Sequence, residues 1–192
     1  RAAPAVPPRG SGRLGSGPSA AHRVGVIGAG IGGLVSSLLL AARGLDVTLQ
    51  DREMRFIESA LARASALFAR KFRKPGVVEA AVAQLRADPD GSGAATADLV
   101  IEAVFEELKV KQQVFAELEA VVSETCVLAT NTSSLSVTEM ARHLKHPERV
   151  VGFHFFNPVA VMPLIEVVRT PATTDETLAT AMNTAAKLRK NA

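Results

Sequence analysis

The 192-residue sequence contains one cysteine, no tryptophan and no tyrosine. The single thiol, Cys126, excludes a disulfide framework and most cysteine-built metal sites, so we expect an intracellular, reducing setting. The missing tryptophan and tyrosine rings weaken any stacking platform for single-stranded nucleic acid. The histidines outside the candidate site show no metal-ligand pattern, so the sequence predicts no metal site.

Acidic residues are absent from the first 45 positions, which carry five arginines. The remaining positions hold 17 basic and 19 acidic side chains, so the overall charge of +3 comes from the N-terminal 45 residues. Because the body of the protein is slightly acidic, the charge gives no reason to expect a nucleic-acid partner.

Residues 1–22 show neither a helical nor a strand period and are rich in proline and glycine. This composition predicts a flexible linker or tail, and its prolines argue against the amphipathic helix of a mitochondrial presequence. The chain begins at Arg1 rather than at methionine, which is typical of a piece of a longer protein. Residues 23–192 are then expected to form one domain.

The stretch from Val24 to Ala42 contains no charged residue and is nearly as long as a membrane span. Five glycines crowd one end of it, however, so we interpret it as a buried strand, a glycine turn and an apolar helix ending at Gly44. A second strand follows at once, which completes a βαβ unit with a parallel sheet and no membrane span.

Strands and helices continue to alternate along the rest of the chain. This alternation predicts the α/β class, with a Rossmann-type, doubly wound and mostly parallel sheet. The predicted later strands cover residues 98–103, 126–129, 149–154 and 162–168, and the predicted helices cover residues 53–72, 77–87 and 107–122. Capping-box pairs, Ser136 with Glu139 and Thr173 with Glu176, are expected to open two further helices.

The glycine turn matches the pattern G-x-G-x-x-G between a predicted strand and a predicted helix. Its six residues are Gly28, Ala29, Gly30, Ile31, Gly32 and Gly33. Such a turn brings the backbone close to a pyrophosphate at a helix N-terminus. Asp51 ends the second strand, where a carboxylate accepts hydrogen bonds from ribose hydroxyls and repels a 2′-phosphate, which favours NAD over NADP. Residues 24–52 equally resemble the FAD-binding opening of flavoprotein oxidases, so this segment alone leaves the two cofactors open.

His154 ends an apolar strand, which brings it to the carboxyl edge of the sheet, where α/β proteins bind ligands. Glu166 is a lone carboxylate in a second apolar strand, and burying it alone would be costly, so we expect it to have a partner. The twelve residues between them allow a strand to return and set the two side by side. A carboxylate on one imidazole nitrogen fixes the tautomer, and the other nitrogen can then take a proton from an alcohol.

Four motifs, in this order, resemble the 3-hydroxyacyl-CoA dehydrogenase family: ADLVIEAVFE at 97–106, NTSSL at 131–135, HFFNP at 154–158 and LIEVV at 164–168. The resemblance implies oxidation of (S)-3-hydroxyacyl-CoA to 3-ketoacyl-CoA with NAD, in fatty-acid β-oxidation. It also implies an α-helical dimerisation domain after the Rossmann domain, which would make the protein a homodimer. We expect that domain to be absent from this chain.

The resemblance assigns a role to each matching position. His154 is implied as the general base, Glu166 as its orienting partner and Ser133 as the hydroxyl that holds the substrate oxygen. Further positions are implied to contact the cofactor (Glu106, Lys111, Asn131 and Asn157) and coenzyme A (Lys71 and Lys74). Two positions depart from the family pattern: Gly32 replaces a usual methionine, and Pro163 replaces a usual lysine and puts the His154–Glu166 pairing in question.

Two alternatives stay open on the sequence alone. One is a FAD-binding oxidoreductase, which leaves the NTSSL and HFFNP motifs unexplained. The other is a nucleotide-binding fragment that has no turnover without its helical domain. The expected location is the cytoplasm, with the mitochondrial matrix or the peroxisome as alternatives.

Overall fold

The computed structural model describes residues 21–71, 75–159 and 161–192. These residues contain seven strands: β1 (Arg23–Ile27), β2 (Asp46–Gln50), β3 (Leu85–Ala87), β4 (Leu99–Glu102), β5 (Val127–Thr130), β6 (Val150–Phe155) and β7 (Ile165–Arg169). The α-helices are α1 (Ile31–Ala41), α2 (Met54–Lys71), α3 (Pro75–Ala83), α4 (Leu108–Glu119), α5 (Val137–Ala141) and α6 (Asp175–Lys187).

The strands form one sheet in the order β3-β2-β1-β4-β5-β6-β7. All neighbours from β3 to β6 are parallel, and β7 pairs antiparallel with β6 at the edge. The predicted doubly wound, mostly parallel sheet is therefore confirmed. The strand order reverses between β1 and β4, which opens a crevice at the carboxyl ends of these strands.

Alternate residues of each central strand point to opposite faces of the sheet, and both faces are covered. In β4, Leu99 and Ile101 join the core beneath α1 and α6, whereas Val100 joins the core beneath α4 and α5. All three side chains are fully buried. This two-sided burial explains why the strand sequences are continuously apolar rather than alternating.

The apolar helix α1 has 11 residues, and no helix in the described ranges combines the length and the hydropathy that crossing a bilayer requires. Its two serines are buried, but their hydroxyls donate to carbonyl oxygens one turn earlier in the helix. Gly44 has a φ of +77°, a left-handed conformation that turns the chain from α1 into β2.

The edge strand β3 was predicted as the end of a helix over residues 77–87, and this prediction is wrong. The helix α3 ends at Ala83, and Leu85 and Ala87 pair with Val47 and Leu49 of β2. Three residues are too few to show a strand period, so only the pairing with β2 distinguishes them from a last helical turn.

The predicted caps differ in outcome. Ser136 caps α5, because its hydroxyl accepts a hydrogen bond from the backbone N–H of Glu139 at 3.3 Å. The second predicted cap is wrong by one residue: Thr174 caps α6 by accepting from the N–H of Thr177 at 3.2 Å. Thr173 is buried instead, and its hydroxyl donates to the carbonyl oxygen of Val150 at 2.8 Å, which holds this loop against β6.

The structure describes two residues of the predicted linker. Ala21 is buried, and the backbone N–H of His22 donates to a carboxylate oxygen of Asp98 at 3.0 Å. Both residues therefore contact the domain, and the rest of the predicted linker lies outside the described residues.

Candidate active site

The glycine turn between β1 and α1 has the close packing that the sequence predicts. Gly28 has a φ of +107°, and a Cβ atom there would lie 2.6 Å from the carbonyl oxygen of Ala103. A Cβ atom on Gly33 would overlap the carbonyl oxygen of Gly28, whereas one on Gly30 would meet no atom within 4 Å. The turn is thus tightly packed against the protein at Gly28 and Gly33 and open to solvent at Gly30, where a pyrophosphate can approach the backbone.

Gly30 is the N-cap residue of α1, and no side chain caps this helix. The first N–H groups of α1 therefore face a cleft of about 1050 Å³ that Gly28, Ala29, Gly30 and Gly32 help to line. Unpaired N–H groups and the helix dipole attract an anion at this point.

Asp51 lies in the same cleft, directly after β2. One carboxylate oxygen accepts from the N–H of Ala29 at 2.6 Å, and the other accepts from the N–H of Arg52 at 2.7 Å. These bonds fix the carboxylate beside the glycine turn, and each oxygen keeps acceptor capacity for a further hydroxyl group.

Two carboxylates and one ammonium group, which we call the Glu–Lys–Glu cluster, meet at the carboxyl ends of β4 and β5. Glu102 and Lys111 have no exposed side-chain surface, and Lys111 Nζ lies 2.7 Å and 3.0 Å from the two Glu102 oxygens. Glu106 lies 3.4 Å from Lys111 Nζ, with 39% of its side chain exposed. The predicted contact of Lys111 with a cofactor ribose stays a prediction.

Glu106 is held as a carboxylate. Burial opposes its ionisation, but the hydrogen bond from Thr132, the positive charge of Lys111 and the N–H of Ser133 outweigh burial, so the pKa of Glu106 lies below its ordinary value. Ser133 N lies 3.2 Å and Ser134 Oγ 3.3 Å from the same carboxylate oxygen. Glu106 therefore joins the segment after β4 to the NTSSL loop after β5.

Asn131 connects three parts of the site. Its Oδ1 accepts from the N–H of Phe155 at 2.9 Å, and its Nδ2 lies 3.0 Å from where a Cβ atom on Gly32 would stand. A side chain at position 32 would press on this amide, so Gly32, although unusual for the family pattern, suits the packing here.

His154 and Glu166 face each other across the antiparallel pair of β6 and β7, as predicted. His154 Nδ1 lies 3.4 Å from a Glu166 oxygen, a long hydrogen bond. The imidazole ring also packs on Phe156, with 4.7 Å between ring centroids. Nδ1 faces the carboxylate, so Nε2 is the nitrogen left to exchange a proton with a substrate.

The reason given for that pairing is wrong, although the pairing exists. Glu166 was expected to be buried in an apolar strand, but 54% of its side chain is exposed because β7 is an edge strand. His154 is the more buried partner, at 16%. Among the described strand residues, Glu102 is the one buried carboxylate. It has the partner that a buried carboxylate requires, because Lys111 forms an ion pair with it.

Pro163 does not displace the loop between β6 and β7. Its carbonyl oxygen accepts from the N–H of Asn191 at 2.8 Å, and the carbonyl oxygen of Asn191 accepts from the N–H of Ile165 at 2.8 Å. These two bonds hold the start of β7, and the register of His154 against Glu166 is kept.

The remaining predicted residues fall in three places. Ser133 and Glu166 line a second hollow of about 260 Å³. Asn157 is exposed just beyond the end of β6. Lys74 and the side chain of Lys71 lie outside the described residues, so the predicted coenzyme A contact stays a prediction.

The sequence reasoning missed Glu102, Thr130 and Thr132. Thr130 Oγ1 donates to Glu102 at 2.7 Å, and Thr132 Oγ1 donates to Glu106. Glu102 carried a usable signal, because it is a carboxylate at the end of the apolar run Leu99–Glu102.

Comparison with known proteins assigns a family description to this domain. Residues 23–192 match the family model described as "3-hydroxyacyl-CoA dehydrogenase, NAD binding domain". The alpha subunit of the fatty acid oxidation complex from Pseudomonas syringae pv. syringae is 40% identical over 170 residues, which are 86% of this chain and 24% of that protein. The chain thus spans about a quarter of the length of this relative.

Solved structures of similar proteins share the fold. Mycobacterium tuberculosis FadB2 is 36% identical, with a TM-score of 0.87 over 90% of this chain and 63% of that chain. 3-Hydroxybutyryl-CoA dehydrogenase from Escherichia coli is 35% identical, with a TM-score of 0.84 over 89% of this chain and 37% of that chain.

Proposed function

The chain belongs to the 3-hydroxyacyl-CoA dehydrogenase family, and from this premise we propose that it is the NAD-binding and catalytic part of an enzyme that oxidises (S)-3-hydroxyacyl-CoA to 3-ketoacyl-CoA. The observation that carries the proposal is the pairing of His154 with Glu166 on the side of the sheet where the parallel strands have their carboxyl ends, which is also the side of the glycine turn. The dimeric assembly through a helical domain and the cytoplasmic location stay predictions.

The residues that line the cleft fit NAD. The open space above Gly30 and the uncapped start of α1 suit the pyrophosphate, and Asp51 suits the ribose hydroxyls on the adenine side. The family match covers this turn, which supports NAD rather than the FAD alternative. When bound, NAD supplies the hydride acceptor of the reaction.

His154 is the proposed general base. Glu166 keeps Nδ1 facing β7, and Nε2 takes the proton of the 3-hydroxyl group while carbon 3 gives up its hydride. In the reverse direction the same nitrogen returns the proton to the oxygen. The resulting imidazolium carries a positive charge, which the Glu166 carboxylate stabilises.

Ser133 is the proposed second contact to the substrate oxygen. Its backbone N–H is bound to Glu106, so the loop has a fixed position while the exposed side chain stands beside the hollow that Glu166 lines. A hydroxyl placed there donates to the oxygen that becomes the carbonyl of the product.

The proposal is tested with His154→Ala in the full-length native protein. We expect acetoacetyl-CoA-dependent oxidation of NADH to fall by about a thousandfold or more, because the carbonyl oxygen that becomes the 3-hydroxyl group then has no proton donor, while NADH binding measured by fluorescence is unchanged.

His146→Ala is the matched control. His146 pairs with Glu148 at 3.0 Å just before β6, so it is a second histidine–carboxylate pair at the opposite end of the same strand. Its loss is expected to leave activity within about twofold of wild type. Undiminished activity of His154→Ala would remove the basis of the proposal.

A further inference from the structure

Glu102 has hydrogen-bond donors on both of its carboxylate oxygens. Its two oxygens receive the ammonium of Lys111, the N–H of Val104 at 2.7 Å and the hydroxyl of Thr130 at 2.7 Å. A carboxylate with about four acceptor positions is then saturated. Glu102 has no exposed surface and no free acceptor for a ligand, so its effect on the reaction must pass through its partners.

The charges of the Glu–Lys–Glu cluster do not cancel. Two carboxylates surround one ammonium group, and of the two carboxylates only that of Glu106 is exposed to solvent. The excess negative charge therefore resides on Glu106. If Lys111 left this position, Glu102 would remain as an unpaired buried charge, which is strongly unfavourable. Glu102 thus fixes Lys111, and Lys111 fixes the accessible carboxylate.

Glu106 is in turn bound to the loop that carries Ser133. The hydroxyl of Thr132 donates to Glu106 and accepts the N–H of Leu135 at 3.1 Å, so the turn of the NTSSL loop is built on this contact. The N–H of Ser133 donates to the same Glu106 oxygen. A displacement of Glu106 therefore moves the Ser133 loop as well.

We propose that Glu102 is a positioning residue that couples the cofactor to the substrate oxygen. It fixes the N–H of Val104, which lines the cleft, and through Lys111 it sets Glu106, the proposed cofactor contact that also holds the Ser133 loop. This inference rests on the proposed dehydrogenase function. It adds a fully buried residue, 0% exposed, to the groups on which turnover depends.

The test is Glu102→Gln in the full-length native protein, with KM for NAD and kcat measured separately. The amide keeps the shape of the side chain but removes its charge and turns acceptor positions into donors. We expect KM for NAD to rise about tenfold and kcat to fall about tenfold or more, because small displacements of positioned groups are costly. A purely structural role would lower only the fraction of active protein and leave KM for NAD unchanged.

A second pair of variants covers the case in which Glu102→Gln does not fold. Thr130→Val removes one hydrogen bond to Glu102 at nearly constant volume, and Thr130→Ser keeps that bond. We expect a rise of about threefold in KM for NAD for the valine variant and wild-type values for the serine variant. Equal KM values for the two variants would contradict the inference.

The double variant Glu102→Gln/Lys111→Met separates charge balance from positioning. It removes both buried charges of the pair, so its unfolding midpoint is expected to return toward that of wild type. Its KM for NAD is expected to stay high, because Glu106 has lost the ammonium group that holds it. Recovery of both quantities would show that Glu102 serves stability alone.

Asp98→Asn is the matched control, because Asp98 stands just before β4 and Glu102 ends this strand. It is expected to change neither KM for NAD nor kcat. If Glu102→Gln behaves like this control while His154→Ala is inactive, the positioning inference fails and the proposed function stands. If His154→Ala is active, the proposed function itself fails.

Discussion

The amino ends of the parallel strands form one side of the sheet, the amino edge, and their carboxyl ends form the opposite side, the carboxyl edge. Both edges carry charged residues of the same types, but these residues have different roles. At the amino edge, Asp98 accepts from the backbone of His22 and Arg23, and Asp46 pairs with Arg86 at 2.7 Å. These contacts join pieces of the chain to one another. At the carboxyl edge, Asp51 is fixed just as firmly but still borders the large cleft.

The difference between the edges follows from the fold. In a parallel sheet with crossover helices, the loops at the carboxyl edge diverge at the point where the strand order reverses, and a crevice opens there. A charged residue at the amino edge is therefore expected to matter for stability, and one at the carboxyl edge for activity. The two ends of one helix or strand provide matched tests.

Gly33→Ala is expected to have the largest effect. The new Cβ atom would overlap the carbonyl oxygen of Gly28, so the turn must move and NADH binding is lost, with a cost of about 3 kcal/mol or more in the free energy of unfolding. Urea unfolding and NADH fluorescence measure the two quantities.

Gly44→Ala, at the other end of α1, is the control for Gly33→Ala. A Cβ atom there meets no atom within 4 Å, so only the positive φ opposes it, at about 1 kcal/mol. NADH binding should be unchanged. Equal losses of NADH binding in the two variants would contradict the distinction between the edges.

Glu166→Gln is expected to lower kcat by about tenfold to a hundredfold, because the amide no longer stabilises the imidazolium of His154. The free energy of unfolding should change by less than about 0.5 kcal/mol, since the carboxylate is on an exposed edge strand. Glu148→Gln, which alters the exposed partner of His146, should leave kcat unchanged. A loss of stability without a loss of kcat in Glu166→Gln would reverse this assignment.

Asp98→Asn is expected to act on stability alone. Burial opposes ionisation of Asp98, but the N–H groups of Arg23 and His22 and the guanidinium of Arg23 outweigh it, so the pKa of Asp98 lies below its ordinary value. The ionised form therefore stabilises the folded state above about pH 4, and this contribution is lost as the pH falls through the folded pKa.

The expected loss for Asp98→Asn at neutral pH is about 1 kcal/mol, a modest value because 36% of the side chain is exposed to screening solvent. Urea unfolding at pH 7 and near pH 3 should show that the difference from wild type shrinks in acid. A constant difference would mean that the ionised carboxylate is not its cause.

Cys126→Ala is expected to have the smallest effect on activity, because this residue is buried at the amino edge just before β5. Burial raises the pKa of its thiol to about 12, helped by Asp98 and opposed by the charge of Arg149. The native thiol should resist a disulfide reagent at pH 8 and react only on unfolding. Rapid labelling of the folded protein would show that the amino edge opens.

The candidate site was predictable where its residues lie in one short segment or in a strong pattern. The glycine turn was identified by its spacing between an apolar strand and an apolar helix, and the structure gives it the expected close packing. The pairing of His154 with Glu166 followed from two strands with a loop of suitable length between them. The reason for that pairing was wrong, because strand sequence does not tell an edge strand from a central one.

The Glu–Lys–Glu cluster was not predictable in the same way. Glu106 and Lys111 look like part of a solvated helix face in the sequence, and Thr130 lies on a different strand. The burial of Lys111 and Thr130 depends on how α4 packs over the ends of β4 and β5, which is a property of the assembled sheet. The same holds for β3, which is a strand only because β2 offers it hydrogen bonds.

The α/β class, the glycine turn and the identity of the histidine–carboxylate pair could all be predicted from the sequence, because backbone conformation and apolar periodicity are local properties. Which carboxylate is buried, which threonine caps α6 and where the charge of Lys111 is neutralised depend on the folded arrangement of the chain. Each of these depends on groups more distant in sequence that become neighbours on folding, and burial makes the choice of partner energetically decisive.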